Sequence, residues 1–127
     1  AFAQEASGAL KAAAGSVDVY QTTCSKSSAG KTSKFLTHIK AVKAAKTAPL
    51  VSIQVYKGKF ATNSTDANGT DIAHSPDAII KGGGEGVYTI LVDKSGAGAV
   101  NYFLEAHCLT AAGGHSGQTE PVQIQQQ

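Results

Sequence analysis

The feature that most constrains this chain is a series of short segments in which β-branched and aromatic residues alternate with polar ones. The clearest are residues 87–93 and 100–108, and the Gly-rich segment 94–99 between them predicts a hairpin. Similar segments, bounded by Gly, Ser and Pro, cover residues 17–24, 50–56 and 78–80. A period of two is typical of half-buried strands, so the pattern predicts an all-β fold, a single antiparallel β-sandwich that is jelly-roll-like.

Three other segments carry weaker patterns. Residues 33–42 place apolar side chains at both helical and strand spacing. We predict a strand there because the run is short and its neighbours are strands. Residues 57–76 are polar and predict a long loop, and the alternating residues 122–125 predict an added edge strand.

The 127 residues suffice for one soluble domain, and no apolar run approaches the roughly 20 residues of a membrane-spanning helix. Residues 1–16 are rich in Ala, and their only large apolar side chains are Phe2 and Leu10. We therefore predict an N-terminal extension over residues 1–16 that lies outside the core, followed by the sandwich domain over residues 17–127.

The two cysteines indicate the compartment. Cys24 and Cys108 are far apart and form neither a CxxC motif nor a zinc-finger pattern with histidine. One long-range disulfide is the favoured interpretation, with two buried free thiols as the alternative. A disulfide implies the periplasm or the cell exterior. Ala1-Phe2-Ala3 has the form of a signal-peptidase site, which predicts a secreted chain whose signal peptide has been removed.

A family resemblance covers about residues 35–108. Gly86-Val87-Tyr88, followed by a strand, a Gly turn and Tyr102-Phe103-Leu104, resembles the recurring end pattern of bacterial pre-peptidase C-terminal (PPC-like) domains. That resemblance implies a small secreted jelly-roll sandwich. It also implies an accessory module without an active site of its own.

One loop has the composition of a calcium site. Asp66, Asn68, Thr70 and Asp71 place hard oxygen atoms at close spacing around a glycine, and Ca²⁺ takes six to eight such ligands. No glutamate stands at the twelfth loop position, which is Asp77, so an EF-hand is excluded. The favoured interpretation is nevertheless a turn in which the Asp and Asn side chains bind their own backbone, and calcium is the alternative.

Other functional classes find little support. The chain has no GxSxG and no HExxH motif, which predicts that it is not an enzyme. It contains no Arg, the residue that recognises phosphates and base edges in bidentate fashion, so we predict no nucleic-acid partner. A copper or zinc site built from His107 and His115 needs partners that the sequence does not identify. The sequence therefore predicts no cofactor, with calcium at the loop of Asp66 as the alternative.

The remaining features predict a secreted structural protein. Phe2, Leu10, Val17 and Val19 are the apolar residues through which the N-terminal extension would join copies into a fibre or surface layer, as a homo-oligomer or homopolymer. Residues 26–59 carry eight lysines and no acidic residue, which favours contact with a second, acidic surface. The alternative is a secreted accessory module that binds calcium or carbohydrate, although the absence of Trp disfavours sugar.

Overall fold

The computed structural model describes residues 4–127, and over that range the chain is all-β with ten strands. The strands are β1 (Glu5–Leu10), β2 (Asp18–Ser25), β3 (Lys34–Ala41), β4 (Val51–Lys57), β5 (Phe60–Thr65), β6 (Ala78–Lys81), β7 (Gly86–Lys94), β8 (Val100–Leu109), β9 (Gly117–Gln118) and β10 (Val122–Gln125). Within residues 4–127 there is no helix long and apolar enough to cross a membrane.

Two antiparallel sheets pack face to face. The first sheet has the order β1-β8-β3-β6, and the second has the order β10-β2-β7-β4-β5, with β9 also paired to β2. The first eight strands thus divide as 1-8-3-6 and 2-7-4-5, which is the strand order of a jelly roll. The predicted fold class is confirmed.

The core lies between the two sheets and follows directly from the alternation. In β3 every second side chain is buried, among them Phe35 and Ile39, so the predicted strand over residues 33–42 is confirmed. Phe35 stacks on Tyr88 of the second sheet with ring centroids 4.3 Å apart. Leu104 and Ile90, fully buried from β8 and β7, belong to the same cluster.

The disulfide joins the two sheets. Cys24 lies in β2 and Cys108 in β8, with Cα atoms 5.7 Å apart, so both cysteines are paired and the alternative of free thiols is wrong. Both residues are buried. The bond is consistent with a location outside the reducing cytoplasm.

A network of buried polar groups joins β2 to β8 and to the last residue, Gln127. Tyr102 donates to Asp18 Oδ2 at 2.7 Å and accepts from the Tyr20 hydroxyl at 2.6 Å. Burial raises the pKa of Tyr102 above its ordinary value, and its bonds to Tyr20 and Asp18 raise it further, so this hydroxyl remains a donor. Asp18 Oδ1 accepts from the backbone N–H of Gln127 at 2.7 Å.

The predicted hairpin between the last two long strands is wrong. β7 pairs with β2 and β4, whereas β8 pairs with β1 and β3. The loop at 95–99 therefore crosses from one sheet to the other, and Gly98 adopts a φ of 121° that favours glycine there. Alternation identifies a strand but not its partner, which is why the sequence suggested the simpler connection.

The predicted long loop over residues 57–76 is wrong for Phe60–Thr65, which forms β5 at the edge of the second sheet. Gly58, with a φ of 57°, makes the tight turn that returns the chain onto β4. Only Ser64 of this strand is buried. An edge strand with so little buried surface lacks the apolar alternation by which we recognised the others.

The predicted separation of residues 1–16 from the core is also wrong for residues 5–10. Glu5–Leu10 forms β1, which pairs in register with β8, and Leu10 is fully buried in the core. A Cβ at Gly8 would collide with the hydroxyl of Tyr102, so the backbone of β1 lies directly on the core. Phe2 lies outside the described residues.

Candidate functional site

The outer face of the first sheet gathers residues that are far apart in sequence. The buried residues of β3 and β8 point inward, so His38, Glu105 and His107 all project outward. In the sheet register, His38 lies directly opposite Glu105, and His107 follows two residues later on the same strand. The pairing of β3 with β8 thus brings two imidazoles and one carboxylate together.

These three side chains meet at one oxygen atom. Glu105 Oε2 lies 2.8 Å from His38 Nε2 and 3.4 Å from His107 Nε2. Relative exposure of the side chains is 13% for His38, 29% for Glu105 and 20% for His107, so the cluster is half-buried but open to solvent. A small ion or ligand can reach it.

Two more candidate ligands lie close to His38. The His74 ring packs on the His38 ring with centroids 3.6 Å apart, and Asp77 lies just before β6. His38, His74 and Asp77 form a second set, and within each set the candidate ligand atoms all lie within 4.8 Å of one another. The two sets share His38, so the region offers overlapping donor groups.

The fourth histidine lies beside the first set. The ring of His115 has its centroid 5.5 Å from that of His107, and its Nδ1 lies 3.2 Å from Gln4 Nε2. A shallow depression of about 360 Å³ opens next to the cluster. Its lining comprises Glu5, His38, Lys40, His74, Phe103 and Glu105.

The surroundings of the cluster favour a neutral His38 and an ionised Glu105. Burial lowers the pKa of His38, and the neighbouring charge of His74 lowers it further. Burial opposes ionisation of Glu105, but the hydrogen bond from His107 and the charges of His38 and His107 outweigh it and lower its pKa. At neutral pH, His38 is therefore a neutral imidazole whose Nε2–H donates to an ionised Glu105, so their contact is a hydrogen bond rather than an ion pair. Binding of a metal through Nε2 would require the ring proton to lie on Nδ1 instead.

The loop predicted as a calcium site uses its oxygen atoms internally. Asp66 is buried, and its carboxylate accepts from the backbone N–H of Ala41 at 2.9 Å and of Asn68 at 3.2 Å. Asn68 Oδ1 accepts from the backbone and hydroxyl of Thr70. Asp71 likewise accepts from the backbone N–H two residues later. This is the favoured turn geometry, and the alternative of calcium binding is left untested.

We expect Asp66→Asn to lower the free energy of unfolding by about 1–3 kcal/mol, since an amide cannot accept both backbone N–H bonds from the same buried position. Urea denaturation measures the loss. Asp71→Asn removes the same charge from an exposed position and should change stability by less than about 0.5 kcal/mol. Equal effects of the two changes would contradict a structural role specific to Asp66.

The predicted assembly residues do not form one surface. Leu10 points into the core. Val17 and Val19 are half-buried and alternate with the buried Asp18 and Tyr20, so they face away from the core on the side of the second sheet. The basic segment is divided as well, because residues 26–59 supply β3 to the first sheet and β4 to the second.

Sequence reasoning missed the roles of His38, His74 and Glu105. The one signal was Glu105-x-His107 within a predicted strand, since that spacing places both side chains on one face. The partner His38 becomes visible only once β3 is paired with β8 in register.

Comparisons with known protein families, with curated proteins and with solved structures give no match for this chain. The fold and the geometry described above are therefore the basis for any functional conclusion. The resemblance to PPC-like domains stays a prediction, as does the alternative of an accessory module that binds calcium or carbohydrate.

Proposed function

We propose that the chain is an extracellular structural subunit that assembles when β1 of one copy completes the first sheet of the next. The observation that carries this proposal is the position of β1. It lies at the edge of the first sheet and pairs there with β8. It nevertheless supplies Leu10 to the core.

Removing β1 would leave the edge of the first sheet able to bind a replacement strand. The register pairs all six residues of β1 with residues of β8, so removing β1 leaves an edge of unpaired backbone groups and an open slot where Leu10 was. Exposed edges of this kind bind a further strand readily. A second copy of the chain carries the segment that fits.

The connection between β1 and the rest of the chain permits exchange. Residues 11–17 link β1 to β2, and residues 11–15 are exposed. Seven extended residues span about 23 Å, enough to reach a neighbouring subunit. Head-to-tail exchange produces a fibre when the rotation between subunits does not close a ring, and it uses contacts that already exist within one subunit.

Mixed cysteine variants test the exchange. Ser7 of β1 lies opposite Phe103 of β8, at a separation suited to a disulfide. If β1 is exchanged, a mixture of chains carrying Ser7→Cys with chains carrying Phe103→Cys should form a covalent heterodimer on mild oxidation. Non-reducing electrophoresis with mass spectrometry identifies the linked peptides, and electron microscopy shows the fibres.

The matched control pairs Ser7→Cys with Asn101→Cys, which lies two residues away on the same strand and opposite Ala9 instead. That mixture should give little cross-linking. An intact chain that remains monomeric at every concentration, or equal cross-linking of both mixtures, would overturn the proposal.

A further inference from the structure

The geometry points to a metal site on the outer face of the first sheet, in which His38, Glu105 and His107 bind one divalent transition-metal ion such as Zn²⁺. The three ligand atoms lie within 4.8 Å of one another. The site is independent of the proposed assembly.

The distances between ligand atoms fit a small ion. Zn²⁺ binds imidazole nitrogen and carboxylate oxygen at about 2.0–2.2 Å in tetrahedral geometry, which places neighbouring ligand atoms about 3.3 Å apart. The observed separations from Glu105 Oε2 are 2.8 Å to His38 Nε2 and 3.4 Å to His107 Nε2. Movements of the side chains would bring the three ligand atoms, which already lie within 4.8 Å of one another, to the tetrahedral spacing.

The protein alone leaves His107 incompletely bonded. Its Nδ1 is buried and has no hydrogen-bond partner among the described residues, and its Nε2 makes only a long contact of 3.4 Å. Buried polar atoms without partners are uncommon and often mark functional positions. Coordination of Nε2 would replace that long contact with a strong bond, while Nδ1 would carry the ring proton and still have no partner among the described residues.

The donor set also selects the class of metal. Two imidazoles and one carboxylate suit Zn²⁺, Cu²⁺ and Ni²⁺, whereas Ca²⁺ and Mg²⁺ prefer sets made only of oxygen. The neighbouring Glu5 lies opposite Glu105 in the register and adds negative charge, while Lys40 also lines the depression. Three protein ligands leave a fourth position for water or an incoming ligand.

Calorimetric titration of ZnCl₂ into the untagged full chain, first stripped with a chelator, tests the site. We expect one ion per chain and a higher melting temperature with zinc, since an ion that binds only the folded state stabilises it. His38→Ala and His107→Ala should each weaken binding by at least about tenfold. His115→Ala is the matched control, because it removes an imidazole from beside the cluster and should leave the affinity within about twofold.

A second measurement uses the unaltered chain and so does not depend on the variants folding. In NMR spectra, the ring resonances of His38 and His107 should change until one equivalent of zinc is added. Absence of binding would overturn the site, as would resonance changes confined to His115. Loss of binding in His74→Ala but not in His107→Ala would also overturn it, since the ion would then belong to the set that includes Asp77.

Discussion

Replacing Cys24 and Cys108 together by alanine is expected to lower the free energy of unfolding by about 4–5 kcal/mol. The two residues are 84 positions apart, so their bond closes most of the chain into a loop. By the chain-entropy argument, such a long loop restricts the unfolded state strongly. The bond also links β2 to β8, and therefore one sheet to the other. Guanidinium denaturation at several protein concentrations measures the loss.

The control for this substitution is the wild-type chain, reduced and compared with its oxidised form under the same conditions. It keeps both side chains in the core, so it separates loss of the bond from loss of packing. The free energies of unfolding of the reduced wild-type chain and of the alanine-substituted chain should agree to within about 1 kcal/mol per truncated side chain, because each substitution removes only a small buried group. If the double alanine variant loses less than about 1 kcal/mol of unfolding free energy, the expectation is contradicted, and the unfolded chain then already keeps the two cysteine positions close together.

The core strands could be predicted from sequence because burial on one face requires every second residue to be apolar. Phe35 and Ile39 in β3 show this, although their spacing also fits a helix. The pairing could not be predicted in the same way, since alternation is identical for a strand that turns back and for one that crosses the sandwich. The misplaced hairpin between β7 and β8 and the unrecognised edge strand β5 both follow from that limit.

The candidate metal site illustrates the same limit at the level of side chains. Glu105 and His107 could be placed on one face from their spacing alone, but nothing in the sequence links them to His38, 67 positions before Glu105. Register supplies the link, because it sets His38 opposite Glu105. A site made across strands is therefore readable only after the topology is known.

Leu10→Ala is expected to lower the free energy of unfolding by about 2–5 kcal/mol in dilute protein that light scattering shows to be monomeric. Leu10 is fully buried, and its truncation leaves a cavity between the sheets that the surrounding strands cannot close. Ser7→Ala is the matched control, since Ser7 is an exposed residue of the same strand and should change stability by less than about 0.5 kcal/mol.

The Leu10→Ala variant also distinguishes whether β1 occupies the sheet of its own subunit or that of a neighbouring subunit. A loss of stability in the monomer means that β1 folds into its own sheet, as the structure describes. If the monomer is unaffected and only the assembled form is weakened, the structure's placement of β1 within its own subunit is contradicted, because Leu10 then fills the slot of a neighbour. Because exchange preserves each pairing of β1 with β8, the strand remains essential in both cases, and the measurement decides only whose core it completes.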